Sequence, residues 1–172
     1  MGKLIEKIKP GVRPLPEGVS FNHPHVLIAT WFGSGLLRPG SGTMGTLAAL
    51  PFGYAVMYVG GFVALGLCAL LFLYLGTKSA AFYGKKSGIH DNQAIVVDEA
   101  IGVWIAAIPA GLDLGLWIMA FILFRFFDIT KPWPASYFDK KHTSALNVML
   151  DDVMAGLFAF LGVATLALIS GV

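Results

Sequence analysis

Two pairs of adjacent acidic residues lie at the borders of apolar segments in this chain. Asp98 and Glu99 interrupt IVVDEAIGVW, Asp151 and Asp152 interrupt VMLDDVMAG, and Asp128 stands between the pairs in FRFFDITKPWP. An ionised carboxylate beside hydrocarbon costs free energy, so it is retained mainly where it is paired, bound to a metal or functional. These five carboxylates are half of the chain's 10 acidic residues. They predict an Mg²⁺ site of the kind that serves phosphate chemistry.

Within each pair the two acids can have different roles. Adjacent residues on a helix diverge by about 100°, so one of Asp98 and Glu99 could bind a metal while the other accepts a proton or a hydrogen bond. The alternative is a charged helix start at a membrane interface, since acidic residues favour helix N-termini. Asp151 and Asp152 exceed what a helix cap needs, which favours a ligand role. Glu99 and Asp152 are the candidates for a general base.

A glycine-rich motif, GSGLLRPGSGTMGTL at residues 33–47, precedes the acidic motifs. Its glycines permit tight turns and a close approach of the backbone to a ligand. The planar guanidinium of Arg38 suits phosphate oxygens, and Thr43 with the following amides would open a helix whose N-terminus favours anions. The alternative is a glycine-rich turn at the interface in which Ser41 or Thr43 caps the helix. No GK[ST] follows, which excludes a Walker A loop.

The segment around Asp128 combines charges of both signs. Arg125, Asp128 and Lys131 are spaced i, i+3, i+6 in FRFFDITKPWPA, so a helix here would bring them near one face. The two cations would then be available to a phosphate. The alternative is a helix end that is held by salt bridges and stopped by Pro132, with Trp133 as an interfacial anchor.

The composition predicts a membrane protein. Of the 172 residues 56% are hydrophobic and only 13% are charged, whereas soluble domains carry about 25% charged residues. The prediction is an all-α integral membrane bundle, and the alternative is a very apolar soluble helical bundle. The net charge of +2 is too small to indicate nucleic acid as a partner.

The apolar segments predict five short spans that must position these side chains. No charged residue occurs from Pro39 to Thr77, and Gly60-Gly61 suggests a helical hairpin over 44–59 and 62–76. A second hairpin is expected within 95–124, with its turn at PAGLD, and residues 153–172 form a last span. Residues 1–24 are predicted as an exposed basic N-terminal arm that several prolines interrupt, and 25–172 as a single membrane-embedded domain.

The basic residues predict the orientation of these spans. They concentrate in three regions, 3–38, 78–86 and 125–141. If both hairpins form, all three regions lie on one side, which the positive-inside rule assigns to the cytoplasm. The far turns, near Gly60 and Asp113, carry no Lys or Arg. The N-terminus would then be inside, the C-terminus outside, and every polar motif on the cytoplasmic face.

Several phosphatase mechanisms are excluded by the residues present. Cys68 lies in an apolar run without a phosphate-binding loop, and neither a DxDx[TV] nucleophile motif nor a PSGH-type motif occurs. What remains is Mg²⁺ held by carboxylates, with either water or an aspartate attacking phosphorus. Arg38 and Lys131 would hold the non-bridging oxygens as charge develops.

Four motifs, in order, resemble those of the phosphatidylglycerophosphatase A family. They are the glycine-rich motif, the segment with Asp98 and Glu99, the segment around Asp128, and the segment with Asp151 and Asp152. The resemblance covers about residues 20–172, and one common family pattern has proline where this chain has Gly42. It implies an all-helical, Mg²⁺-dependent lipid phosphatase of the bacterial inner membrane. Such an enzyme removes the terminal phosphate of phosphatidylglycerophosphate and leaves phosphatidylglycerol.

The expected site residues follow from the motifs and this resemblance. The metal ligands are expected among Asp98, Glu99, Asp128, Asp151 and Asp152. The catalytic residues are expected among Asp98, Glu99, Asp128 and Asp152. The substrate-binding residues are expected to be Arg38, Thr43, Arg125 and Lys131. Two other functions stay open: a small ion transporter or channel with a carboxylate ion site, and a lipid phosphatase with another headgroup preference.

Overall fold

The computed structural model describes residues 11–89, 92–133 and 144–171, and helices account for most of them. The helical class expected from the sequence is therefore confirmed. The five helices within these described residues are α1 (Pro24–Ala29), α2 (Ser41–Ser87), α3 (Val97–Ala107), α4 (Leu114–Thr130) and α5 (Ala145–Ser170). Two 3-10 turns, Ser34–Leu36 and Ile108–Ala110, and two short strands, β1 (Gly11–Val12) and β2 (Leu37–Arg38), complete the described elements.

The two strands attach the start of the described chain to the segment before α2. They pair antiparallel, with Gly11 opposite Arg38 and Val12 opposite Leu37. The amide of Arg13 extends this pairing by donating to the carbonyl of Leu36 at 2.7 Å. Residues 1–10 of the predicted basic arm lie outside the described residues, and the division into an arm and one domain stays a prediction.

Helix α2 reverses direction at Gly61. The backbone there has φ 66° and ψ −166°, which glycine adopts far more readily than other residues because it lacks a Cβ. The rings of Phe52 and Phe72 lie 6.1 Å apart, although 20 residues of straight helix would span about 30 Å. The two halves therefore run side by side. They extend beyond the predicted 44–59 and 62–76, because polar residues continue the helix at both ends.

Helices α3 and α4 also run antiparallel. The chain turns through Ile108–Ala110 and Gly111, at the predicted PAGLD sequence, and the side chain of Asp113 caps α4 by accepting from the amide of Leu116 at 2.8 Å. Helix α4 continues to Thr130, beyond the predicted end at residue 124. It therefore carries Arg125 and Asp128 on its last turns.

Helix α5 begins earlier than the sequence suggested. The side chain of Ser144 caps it by accepting from the amide of Asn147, and the helix includes the acidic pair that was expected to precede it. A span beginning at residue 153 was too short, because the apolar residues from Ala145 onward already form helix. Asp151 and Asp152 thus face neighbouring helices from within α5.

Aromatic residues join the first three helices. Trp31, which follows α1, makes edge-to-face contacts with Phe72 and Trp104 at ring distances of 5.2 and 5.1 Å. Phe52 stacks on Trp104 at 5.4 Å. The indole of Trp104 donates to the carbonyl of Ala49 at 2.9 Å, so the buried ring has its polar atom satisfied.

The outer faces of the longest helices are apolar and exposed. Helices α2 and α5 are long and apolar enough to cross a membrane, judged by length and composition. In the most apolar 18-residue segment of each, only 17% and 28% of the residues, respectively, are buried. Large side chains such as Val59 and Leu168 are 86% and 83% exposed. A soluble core helix would bury this surface, so the helices indicate a membrane protein.

Candidate active site

Two helices bring three carboxylates together. Asp98 and Glu99 lie in the first turn of α3, and Asp152 lies on α5. One oxygen from each of the three side chains lies within 4.8 Å of the others. Asp98 and Asp152 are buried, and Glu99 is half-buried. We refer to these three residues as the carboxylate cluster.

Two glycines allow α3 and α5 to approach closely enough to form this cluster. A Cβ placed on Gly156 would lie 2.5 Å from the carbonyl oxygen of Gly102, and one on Gly102 would lie 2.8 Å from the carbonyl oxygen of Asp152. Each glycine follows an aspartate of the cluster by four residues, about one helical turn. A side chain at either position would push the backbones apart.

The sequence reasoning missed both glycines, although a signal was present. DEAIG and DVMAG share the spacing D-x-x-x-G, which places Gly102 on the face of Asp98 and Gly156 on the face of Asp152. The two helices must meet at these acids. A glycine one turn after the acid in each helix therefore indicates the face along which the helices contact each other.

A cavity of about 440 Å³ opens at the carboxylate cluster. Ser41 and Gly42, in the first turn of α2, also line it. Arg38 and Thr43, which were expected to bind substrate, do not. The predicted site residues that line it are Asp98, Glu99, Arg125, Asp128, Lys131, Asp151 and Asp152.

The other two acids of the cavity are paired with cations. Arg125 Nη1 lies 2.6 Å from the carboxylate of Asp128, and Lys131 Nζ lies 2.7 Å from that of Asp151. Asp151 also accepts a hydrogen bond from the amide of Asp152 at 2.9 Å. Asp128 and Asp151 therefore orient the two cations at the edge of the carboxylate cluster.

The position of Lys131 depends on the end of α4. Lys131 has a left-handed backbone conformation, with φ 43°, and its amide donates to the carbonyl of Phe127 at 2.8 Å. This conformation is unfavourable for a residue with a side chain, and Pro132 prevents the helix from continuing. The chain therefore turns here, and the ammonium group lies beside Asp151 on α5.

Glu99 has a buried oxygen without a partner. Its Oε2 atom has no hydrogen-bond partner in the part of the chain that the structure describes, and such a group costs about 1–3 kcal/mol when left unsatisfied. Asp98 accepts a hydrogen bond from the amide of Glu99 at 3.1 Å. Three close carboxylates, one with an unsatisfied oxygen, form an all-oxygen donor set that suits a hard divalent cation such as Mg²⁺.

Gly42 makes room for the carboxylate of Glu99. A Cβ on Gly42 would collide with Oε1 of Glu99 and would lie 3.1 Å from Nη1 of Arg125. The hydroxyl of Ser41 donates to the carbonyl of Gln93 at 2.6 Å, which ties the start of α2 to the segment before α3. Gly42 is the position at which this chain departs from the proline of the family pattern.

Arg38 and Thr43 occupy other positions. Arg38, on β2, lines a neighbouring cavity of about 690 Å³ together with Arg13 and Lys86. Thr43 is half-buried in the first turn of α2. We expected Arg38 beside the acids because it belongs to the glycine-rich motif. Its backbone instead pairs with Gly11, and its side chain lines the neighbouring cavity.

This arrangement defines a helical membrane protein with a candidate metal centre that suits phosphate chemistry. The family model of phosphatidylglycerophosphatase A matches residues 27–167. The chain belongs to this family, which confirms the resemblance found in its four motifs.

Curated relatives agree with this assignment. Phosphatidylglycerophosphatase A of Haemophilus influenzae is 42% identical over 147 residues, covering 82% of this chain and 87% of that protein. The protein of the same name from Escherichia coli is 37% identical over 147 residues, covering 82% of each. A Bacteroides thetaiotaomicron protein, whose name assigns it provisionally as a phosphatidylinositol-3-phosphatase, is 37% identical over 147 residues, covering 81% of this chain and 91% of that protein. No solved structure matches the chain.

Proposed function

We propose that this protein hydrolyses the terminal phosphate of phosphatidylglycerophosphate and releases phosphatidylglycerol and inorganic phosphate. The observation that carries the proposal is the convergence of Asp98, Glu99 and Asp152 in a chain of the phosphatidylglycerophosphatase A family. The names of the two relatives from Haemophilus and Escherichia state this substrate. An enzyme that catalyses this reaction is a phosphoric monoester hydrolase.

The carboxylate cluster would hold Mg²⁺. The ion would supply charge neutralisation for the phosphate and a more acidic water. Asp128 and Asp151, which the sequence placed among the metal ligands, are already paired with Arg125 and Lys131. Their role in this proposal is to orient those cations rather than to bind the metal.

Arg125 and Lys131 would bind the non-bridging oxygens of the terminal phosphate. Both line the same cavity as the carboxylate cluster, and cations fixed in advance stabilise the charge that develops on phosphorus oxygens. Glu99 is the better placed of the two candidate bases, Glu99 and Asp152, because its Oε2 atom has no hydrogen-bond partner among the described residues. It would accept the proton of the attacking water.

The protein is proposed to cross the bacterial inner membrane five times with its site at the cytoplasmic surface. The two halves of α2, then α3, α4 and α5 would be the spans. Ser41, Asp98 and Asp152 meet at one end of these helices, whereas the turns at Gly61 and Gly111 lie at the other. The basic residues accompany the site end, in agreement with the positive-inside rule. The acyl chains of the substrate would stay in the bilayer.

Phosphate release from purified protein tests the proposal. Phosphatidylglycerophosphate should be hydrolysed with Mg²⁺ and not after chelation, and phosphatidic acid should be a poorer substrate. Absence of phosphate release from phosphatidylglycerophosphate with Mg²⁺, Mn²⁺ and Ca²⁺ each supplied would refute it. Phosphatidylinositol 3-phosphate is the second candidate substrate, because the name of the Bacteroides relative points to it, and it belongs in the same assay.

An ion transporter is the weaker alternative. Its carboxylates would be expected deep within broken helices. Here Asp128 and Asp151 are paired with Arg125 and Lys131 at helix ends, and these cations would repel a transported cation while attracting a phosphate.

A further inference from the structure

A second cavity adjoins the acidic one and is lined by cations. It has a volume of about 690 Å³, and Arg13, Arg38 and Lys86 contribute to its lining. We propose that this cationic cavity binds the phosphodiester group of the lipid headgroup while the terminal phosphate lies at the carboxylate cluster. The inference rests on the proposed function, because it assigns the second phosphate of that substrate. No bond is made or broken at the cationic cavity.

Arg13 connects the cavities. It lines the acidic cavity, the cationic cavity and a third, mainly apolar cavity. Gln93 lines the first two and accepts a hydrogen bond from Nη2 of Arg13 at 2.6 Å. The two cavities therefore adjoin at Arg13 and Gln93, as the proposal requires for a single extended ligand.

The cationic cavity shares Arg13 and Gln93 with the acidic cavity and Arg13 and Leu15 with the apolar cavity, which agrees with the phosphodiester lying between the terminal phosphate and the acyl chains of the lipid. The third cavity has an apolar lining that includes Val12, Phe32 and Leu37. Val12 and Phe32 are exposed by 68% and 61%, as expected for side chains that meet a bilayer. The terminal phosphate would then lie at the carboxylates and their metal. The phosphodiester would lie at the cations, and the acyl chains would contact the apolar side chains.

Within the part of the chain that the structure describes, cations outnumber acids in the lining of the cationic cavity. Neither Arg13 nor Arg38 forms an ion pair with a carboxylate within residues 11–89, 92–133 and 144–171. Among the described residues of the lining Glu17 is the single acid, and it is exposed. Three cations against one carboxylate leave a net positive surface that an anionic phosphodiester would neutralise.

The state of Arg13 also indicates an anion. Burial and the nearby Arg38 lower the pKa of the Arg13 guanidinium, so the two like charges lie close together at a cost in free energy. The Nε atom of Arg13 is buried and has no hydrogen-bond partner among the described residues. A phosphodiester oxygen would both offset the repulsion and satisfy this donor.

The strands hold the two arginines in place. Gly11 pairs with Arg38 across the β1–β2 ladder, and the amide of Arg13 donates to the carbonyl of Leu36. This gives the segment before α1 a specific role as one wall of the substrate site. It also reassigns Arg38, which the sequence placed on the attacked phosphate.

Ligand binding separates the two phosphate sites. The full chain is purified in detergent and titrated with short-chain phosphatidylglycerol, which has the phosphodiester but no terminal phosphate, and with inorganic phosphate in Mg²⁺. Lys86→Gln and Arg38→Gln should each weaken phosphatidylglycerol binding roughly tenfold and change inorganic phosphate binding by less than about twofold. Both residues line the cationic cavity and not the acidic one.

The matched control is Lys85→Gln. Lys85 is the neighbouring residue on the same exposed end of α2, and it does not line the cationic cavity. This variant should bind phosphatidylglycerol as the wild type does. An equal loss in Lys85→Gln and Lys86→Gln would overturn the proposal, since general charge would then explain the effect.

The remaining outcomes separate the diester site from the hydrolase proposal. Unchanged phosphatidylglycerol binding in Lys86→Gln and Arg38→Gln, an equal loss of both ligands, or no binding of phosphatidylglycerol by the wild type would each overturn the diester site. If the wild type binds phosphatidylglycerol through these residues yet releases no phosphate from phosphatidylglycerophosphate, the hydrolase proposal fails and the diester site stands. If both variants hydrolyse phosphatidylglycerophosphate as the wild type does, the diester site fails and the hydrolase proposal stands.

Discussion

The backbones of Gly102 and Gly156 are in direct contact, and this contact sets the distance between Asp98 and Asp152. A Cβ on Gly156 would lie 2.5 Å from the carbonyl oxygen of Gly102. Each aspartate lies one turn before its glycine, so the closest approach of α3 and α5 occurs beside the carboxylate cluster. A change in helix spacing at the glycines is therefore transmitted directly to the carboxylate cluster.

Substitution of Gly156 should damage the site through the backbone. Gly156→Val should force α3 and α5 apart, because the valine side chain meets the backbone carbonyl of Gly102, which cannot rotate away. This separation should cost about 1–3 kcal/mol of stability. We expect at least roughly a tenfold loss of phosphate release, with weaker Mg²⁺ binding. Gly66→Val is the control, since nothing lies within 4 Å of a Cβ at Gly66. Equal activity of both variants would contradict a spacing role for Gly156.

The carboxylate cluster should respond to single neutral substitutions. Asp98→Asn and Asp152→Asn each remove one ligand and one negative charge, so Mg²⁺-dependent phosphate release should fall by about 100-fold or more. Mg²⁺ should raise the Tm of the wild type by binding to the folded state, and this rise should be absent in both variants. Membrane insertion should be retained.

Asp113→Asn is the matched control for these two variants. Asp113 caps α4 at the far turn, and asparagine caps a helix about as well as aspartate. Activity and the Mg²⁺-dependent rise in Tm should both be preserved. If Asp98→Asn and Asp152→Asn keep the metal response of the wild type, the metal centre is elsewhere.

Gly42 should affect activity more than stability. In Gly42→Ala the new methyl group collides with Oε1 of Glu99. The Glu99 side chain can move away, unlike the Gly102 backbone that a side chain at position 156 would meet. The carboxylate would leave its position, so we expect roughly a tenfold loss in kcat/KM with a Tm close to that of the wild type. Activity assays and thermal unfolding of the same preparations check this. A large loss of Tm would show instead that Gly42 is mainly structural.

Cysteine labelling tests the arrangement in the membrane. In a Cys68→Ala background, Lys85→Cys should react with an impermeant reagent from the cytoplasmic side, because it lies at the site end of α2. Leu112→Cys, which is at the opposite turn and 48% exposed, should react from the other side. Labelling of both positions from one side would contradict the proposed five spans.

The acids could be recognised from the sequence because their position is unusual in itself. Asp98, Glu99 and the Asp151-Asp152 pair interrupt apolar runs, and the distribution of Lys and Arg predicts that they share one side. The turns near Gly61 and Gly111 were also visible as glycine and proline positions. These are local signals, which a single sequence carries well.

The remaining features depend on non-local contacts. The pairing of Gly11 with Arg38 involves two-residue strands, which have no periodicity to read, so the sequence could not show that Arg38 faces Arg13. The meeting of Gly102 and Gly156 requires knowledge of which helix faces touch. The predicted start of α5 was wrong because the acidic pair was interpreted as a boundary, whereas Ser144 supplies the cap.

The carboxylate cluster also has a consequence for the order of synthesis. Asp98 and Glu99 are synthesised with α3, whereas Asp152 belongs to α5, which is synthesised later. A nascent chain that ends before residue 145 would contain Asp98 and Glu99 without the third carboxylate. The carboxylate cluster can therefore assemble only after α5 has been synthesised and has docked on α3.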